Sequence, residues 1–298
     1  MDPAILDFAQ PGFIITLLFG FIALIQVFYY LFFYARVCLK RETENSKPQP
    51  PVSVVVCARN EVDYLKQYVP LLCKQDYPDF EVVVVNDCSE DDSYIVLKQF
   101  AEQFPNLKVT TIKQDEKFSH GKKLALTVGI KAAKNDILLF TDADCKPVSN
   151  KWIQNMAAGF SPEKEIVLSY SGIMQEKGFL NKLIRYDVLF IGIQYLGFAL
   201  AKIPYMGVGR NLAYRKSLYI SQKGFARHAH ILSGDDDLFV NQAANKKNTA
   251  VVYSEQSHVL THGKNAFRLW LLQKRRHFSS SKMYKNWHKA ILALEPTS

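Results

Sequence analysis

Between residues 52 and 145 the chain sets four short apolar runs against polar or acidic stops. They are Val52-Ser-Val-Val-Val-Cys57 before Ala-Arg-Asn-Glu61, Glu81-Val-Val-Val-Val85 before Asn86-Asp87, Leu107 to Ile112, and Ile137-Leu-Leu-Phe-Thr141 before Asp142-Ala-Asp144. Runs this short and this uniformly apolar fit strands buried on both faces. Longer mixed stretches separate them. Val62 to Lys74 reads as a helix, followed by a turn at Tyr77-Pro-Asp79. Ser89 with Glu90-Asp-Asp92 opens a second helix, where a capping hydroxyl and negative charge suit the amino terminus. Lys122 to Ala133, behind Gly121, is the third. Strands alternating with helices predict an α/β fold with a mostly parallel, Rossmann-like sheet flanked by helices. No internal repeat is present.

Ahead of this pattern the periodicity disappears. Phe13 to Tyr34 is 22 residues without a charge, about 33 Å as a helix and long enough for a hydrocarbon core of roughly 30 Å. Asp2 and Asp7 flank it on one side, and Arg36, Lys40, Arg41 and Lys47 on the other. A secretory leader would start basic and be shorter. The expectation is one transmembrane anchor with the rest of the chain in the cytoplasm, at the inner (plasma) membrane. Residues 42–51 (ETENSKPQPP) form a polar, Pro-rich linker.

Composition narrows the function classes. The 298 residues carry a formal net charge of +9, yet no aromatic–basic module for nucleic acid is present, so none is expected as a partner. Five scattered cysteines without metal spacing read as thiols in a reducing compartment. No Gly-x-Gly-x-x-Gly follows the first strand, which disfavours a nicotinamide or flavin domain, and His120-Gly-Lys-Lys123 is not a phosphate-binding P-loop.

The acids then matter. In a parallel sheet, Glu61, Asp87, Asp142 and Asp144 fall at one carboxyl edge and can face a single crevice. Asp142 and Asp144, one residue apart, share a face of an extended segment. Two carboxylates that close suit a divalent cation bound to a diphosphate. An aspartate ending a strand also serves to cap the next helix, and the motif alone leaves both readings open.

In order, Pro51 to Glu61, Val82 to Asp92, His120-Gly-Lys-Lys-Leu-Ala-Leu126, Phe140-Thr-Asp-Ala-Asp144, Gly209-Arg-Asn-Leu-Ala-Tyr-Arg215, Ser233-Gly-Asp-Asp-Asp-Leu238 and Gln273-Lys-Arg-Arg-His277 resemble glycosyltransferase family 2. The resemblance covers roughly residues 51–277. It implies a GT-A fold and an inverting, metal-dependent transfer from a nucleotide-sugar donor, with UDP as the expected nucleotide. It divides the chain into an anchor (1–41), the linker, a GT-A domain (52–263; donor half 52–145, acceptor half 146–263) and a basic amphipathic segment (264–298).

By resemblance, Asp87 accepts the imide N–H of uracil, with Cys57 and Asn60 bordering that pocket and Glu61 beside it. Asn86 stands where the family usually has a second aspartate. Lys122 would meet the diphosphate. Asp144 is the expected direct ligand of Mg²⁺ or Mn²⁺, with Asp142 near the ribose and the metal. The base is expected among Asp235, Asp236 and Asp237, with Asp235 in the family register and Gly234 in the place of the family's glutamate. The same acids also suit the start of a helix running from about Asp236 to Lys246. Gln273 and Arg276 match the family's Gln-x-x-Arg-Trp, with His277 in place of Trp, which puts the polymer-stacking role of that ring in doubt.

From Lys264 to Lys289 there are eight Lys or Arg and no acid, interleaved with aromatic and aliphatic residues. This predicts a helix pair lying on an anionic leaflet. With the apolar stretch Phe179 to Ile203 it would present a lipid, lipid-linked or glycan acceptor. Many relatives place further spanning helices after the Gln-x-x-Arg-Trp position. Here none follows, so either one anchor and an interfacial surface meet the acceptor, or the chain is a piece of a longer one. Two rival readings are a sugar nucleotidyltransferase, for which Cys57-Ala-Arg-Asn60 lacks the Gly-rich loop, and a membrane-tethered binding protein that keeps the nucleotide pocket without catalysis.

Overall fold

A computed structural model describes residues 11–39, 49–113, 121–231 and 233–295. Asp2, Asp7, Lys40, Arg41, Lys47, His120, most of the expected linker and the last three residues lie outside them.

The apolar segment is one rod: α1 (Pro11–Tyr29), a π-helical turn (Tyr30–Tyr34) and α2 (Ala35–Leu39). The expected α/β alternation follows: β1 (Val52–Ala58), α3 (Val62–Cys73), β2 (Phe80–Asp87), α4 (Ser93–Gln103), β3 (Leu107–Ile112), α5 (Lys122–Ala132) and β4 (Ile137–Asp142). Next come β5 (Cys145–Pro147), α6 (Trp152–Ala157), β6 (Ile166–Leu168), β7 (Ser171–Ile173), α7 (Phe179–Leu200), β8 (Leu212–Arg215) and α8 (Lys216–Ser221). The chain continues through α9 (Asp237–Ala243), β9 (Thr249–Val251), β10 (Val259–Thr261), α10 (Phe267–Ser281) and α11 (Asn286–Ala293).

Seven strands form the main sheet in the order β3-β2-β1-β4-β8-β6-β9, and only β8 runs against its neighbours. A small sheet, β5-β10-β7, stands beside it. Successive strand residues alternate between two cores. Val54, Val56, Val82, Val84 and Leu139 pack with α3 and α6 through Leu65, Leu72, Trp152 and Ile153. Val55, Val83, Leu138 and Phe140 pack with α5, α7 and α9 through Leu126, Ile130, Phe198 and Phe239. Burial on both faces is why the strands read as unbroken apolar runs.

Register fixes the site. Cys57 is paired with Val85 on one side and Asp142 on the other, so β1, β2 and β4 end level. On the far side of β4, Phe140 pairs with Leu212 in antiparallel fashion. The turn before β8 therefore lies beside the end of β4.

The helix expected to reach Lys246 stops at Ala243. The reason is local: Asn245 Oδ1 accepts from the backbone N–H of Lys247 and Asn248, and Asn248 Oδ1 accepts from that of Asn245. Asparagine side chains thus replace the helical bonds.

Candidate active site

Five stretches meet at the carboxyl edge of the sheet: β1, β4, the start of α5, the turn before β8 and the entry to α9. Cys57, Lys122, Thr141, Asp142, Gly209, Asp235 and Asp236 line one cavity there. Lys122, the first residue of α5, joins its two sides. Its Nζ lies 2.8 Å from Asp142 Oδ1 and 3.5 Å from Asp235 Oδ2. Burial opposes the lysine's charge, but Asp142, Asp235 and Asp236 together raise its pKa well above the ordinary value. Burial likewise works against the Asp142 carboxylate, while Lys122, Arg210 and Arg276 hold its pKa down. Because 37% of the Lys122 side chain and 29% of that of Asp142 remain exposed, solvent screens the pair, and its effect is to position groups more than to stabilise the fold.

The three adjacent aspartates have different surroundings. Gly234, at φ +90°, turns the chain in the left-handed region that glycine enters without strain. Asp235 follows it, buried, with Lys122 facing it; burial first, then Asp236 and Asp142, raise its pKa, and Lys122 opposes the shift. Asp236 caps α9: one oxygen accepts from the N–H of Asp237 at 2.7 Å and the other from the N–H of Gly209 at 2.7 Å. Asp237 turns away toward the C-terminal helices. Its Oδ2 accepts from Ser280 Oγ at 2.5 Å and Tyr284 OH at 2.8 Å, and its Oδ1 from the N–H of Leu238.

Asp144 sits on the neighbouring side, accepting from Thr261 Oγ1 at 3.0 Å and Cys145 Sγ at 3.3 Å. Ligand atoms of Asp142, Asp144 and Cys145 all lie within 4.8 Å of one another. Burial keeps Cys145 a neutral thiol, its pKa raised well above the ordinary value, so the donors offered to a cation are carboxylate oxygens. That set fits Mg²⁺ or Mn²⁺ and leaves coordination positions for phosphate oxygens. Glu61 is close enough that its burial and then Asp144 push its carboxyl pKa up.

At the ends of β2 and β4, Asp87 Oδ1, Asn86 Oδ1 and Thr141 Oγ1 are buried without a protein hydrogen-bond partner. Such atoms carry a desolvation cost that a polar ligand can offset. Cys57 is a half-buried thiol held neutral, its pKa raised chiefly by desolvation. Asn60 is exposed at φ 56°, where its side chain accepts from the N–H of Glu90 and its own N–H donates to Ser89 Oγ. It stitches the loops after β1 and β2 together.

On α10, Gln273 is half-buried, and Arg276 follows one turn later with its charge felt at Asp142. His277 is exposed, and partial desolvation of its ring, with the charges of Arg276, Arg210, Lys274 and Lys122, lowers its pKa to about 4. The ring is therefore neutral at physiological pH. Sequence reasoning assigned no role to Arg210; the signal available was its place inside Gly209-Arg-Asn211.

The rod packs against α7 and α11. Phe33 stacks on Phe198 of α7 with ring centroids 4.0 Å apart, and Tyr29 OH donates to the carbonyl of Ile291 at 2.5 Å. A Cβ at Gly197 would stand 2.6 Å from the Phe33 carbonyl oxygen, so only glycine permits this approach.

The chain is similar to known proteins in sequence and in fold. The model of the family described as Glycosyl transferase family 2 matches residues 53–221. The chain is 28% identical over 184 residues to the probable glycosyltransferase YdaM of Bacillus subtilis, covering 59% of this chain and 43% of that protein. It is 34% identical over 113 residues to the poly(ribitol-phosphate) beta-N-acetylglucosaminyltransferase TarS of Staphylococcus aureus, covering 37% and 19%. It thus spans less than half the length of either. The fold is that of the mannosyltransferase PcManGT from Pyrobaculum calidifontis, solved with GDP-Man and Mn²⁺, at a TM-score of 0.66 and 20% identity over 94% of this chain and 79% of that one. With its sheet order, its acid-ended strands and a family match across more than half its length, the chain belongs to glycosyl transferase family 2.

Proposed function

We propose that this protein is an inverting glycosyltransferase that moves a sugar from a nucleotide donor, with UDP the expected nucleotide, to a membrane-associated lipid or lipid-linked acceptor. The observation that carries this reading is the bridge Asp142–Lys122–Asp235. One cation ties the donor edge of the sheet to a buried carboxylate on the opposite wall.

In this mechanism Asp87 accepts the base N–H with its otherwise unpartnered oxygen. Lys122 holds Asp142 and Asp235 in place and faces the diphosphate. Asp144 and Asp142 would hold Mg²⁺ or Mn²⁺, which supplies charge neutralisation to the leaving diphosphate. Asp235 takes the acceptor hydroxyl proton, the acceptor oxygen bonds to the anomeric carbon, and the bond from that carbon to the diphosphate oxygen breaks on the opposite face, giving inversion. Asp235 suits the base because its oxygens are not consumed by capping or anchoring bonds, unlike those of Asp236 and Asp237. Its raised pKa also moves it toward the range of an effective base.

Membrane association is supported by the segment Gly12–Leu39, with mean hydropathy 2.2 and a largely unburied surface. Exposed Phe179, Tyr186 and Leu189 on α7, and Phe267, Leu271 and Phe278 on α10, add apolar surface beside basic Arg268 and Arg275. Such a face suits an anionic leaflet and an acceptor with an apolar tail.

The test uses the full chain in detergent with a panel of UDP- and GDP-sugars, Mg²⁺ or Mn²⁺ and a membrane lipid extract. Wild type releases nucleoside diphosphate, and Asp144→Ala loses roughly a thousandfold of that rate without loss of fold, as expected for removal of a main electrostatic element. Equal rates for the two proteins would sink the assignment. Calorimetric binding of UDP with Mn²⁺ but no turnover would favour the tethered binding protein.

A further inference from the structure

The turn Gly209–Asn211 is clamped at both ends. The N–H of Gly209 donates to Asp236 Oδ2 at 2.7 Å. Asn211, 1% exposed, accepts from Trp152 Nε1 at 3.0 Å and donates to the carbonyls of Tyr170 and Ser257 at 2.7 and 2.8 Å. Arg210 stands between these two fixed residues. The antiparallel pair Phe140–Leu212 carries the turn past the end of β4, so that it lies alongside Thr141 and Asp142. The Arg210 guanidinium is half-buried and within electrostatic reach of Asp142 and His277.

Among the described residues no carboxylate forms an ion pair with Arg210. Asp142, the acid in its reach, is engaged by Lys122 at 2.8 Å. Arg276 approaches the same space from α10, also without an ion pair. Arg210 and Arg276 both act on Asp142 and on His277, and guanidinium groups gathered around one acid already engaged by a lysine favour an incoming anion. Planar forks of this kind match phosphate oxygens. Position selects which phosphate. The nucleoside end of the cleft is marked by Asp87, whereas Arg210 is joined through Gly209 to the residue next to Asp235, at the reacting end.

We propose that Arg210 binds the terminal phosphate of the nucleoside diphosphate, the one whose bond to the sugar breaks. This rests on the donor reading given above. When the sugar leaves, the new charge on that phosphate develops beside the Arg210 guanidinium, which therefore holds the product more tightly than a nucleoside monophosphate.

The test is calorimetry on the full chain in detergent with Mg²⁺ present, comparing UDP with UMP and GDP with GMP, for wild type, Arg210→Gln and Arg210→Lys. Wild type prefers the diphosphate. Arg210→Gln loses about tenfold to a hundredfold of diphosphate affinity, the range for a charge-assisted contact, while monophosphate affinity and melting temperature stay the same. Arg210→Lys recovers part of the loss. If wild type binds no nucleotide, the donor reading fails and this inference falls with it. If wild type binds the diphosphate and Arg210→Gln binds it equally, the Arg210 assignment alone is overturned. A rise in acceptor KM with unchanged diphosphate affinity overturns it too, because Arg210 would then serve the acceptor.

Discussion

The sheet edge and the opposite wall of the cleft are built by different means. At the sheet edge, Cys57, Asp87 and Asp142 come from strands lying side by side in register, and each side chain sits where an apolar run ends. On the opposite wall, Arg210, Asp235 and Arg276 come from a turn, a helix entry and a late helix, held by contacts between residues far apart in the chain. Asp237 reaches Ser280 and Tyr284, and Phe33 reaches Phe198. The difference teaches that a parallel sheet aligns a site through its own register, whereas a wall of helices needs separate pins.

The sharpest way to break this comparison is to separate the base from its pins. Asp235→Asn should lower turnover by roughly a hundredfold to ten-thousandfold with little change in melting temperature. In wild type, turnover should rise with pH as Asp235 ionises. Burial raises the folded pKa, so that acidic limb lies above the about 3.9 of a free aspartate. A limb unchanged in Asp235→Asn would assign the base elsewhere.

Asp237→Ala should do the reverse. It leaves Ser280 Oγ and the Tyr284 hydroxyl without their buried acceptor and should reduce stability by about 3 kcal/mol. Denaturant unfolding measures this, and the folded fraction should keep its turnover. If Asp237→Ala instead melts like wild type and abolishes transfer, the division between pin and base is wrong.

A smaller effect is expected at the rod. Gly197→Val forces a side chain against the Phe33 carbonyl and should cost about 1–3 kcal/mol as overpacking, seen as a lower melting temperature of the full chain in detergent. An unchanged melting temperature would show that the docking of the rod on α7 contributes nothing to stability.

Much of the sheet edge was legible in the sequence. Val52–Cys57, Glu81–Val85 and Ile137–Thr141 announced strands because burial on both faces demands uniform apolarity, and the acids after them announced an edge. Lys122 was legible as the cation behind a glycine. The fates of Asp235, Asp236 and Asp237 were not, since three identical side chains in a row carry no local signal of which oxygen meets Gly209, Ser280 or Lys122. Arg210 was hidden for a related reason: its neighbour Asp142 lies 68 positions away in the numbering, brought close by one antiparallel strand.

By itself, then, the sequence determined the order of elements, the parallel sheet and the candidate donor acids, all of which follow from local periodicity and from where apolar runs stop. Tertiary structure alone decided that β8 runs backward beside β4, that Asp237 faces the C-terminal helices, that Lys122 bridges two walls and that the rod rests on Gly197. Those outcomes depend on distances between residues remote in the chain, and one-dimensional patterning of apolar and polar positions does not encode such distances.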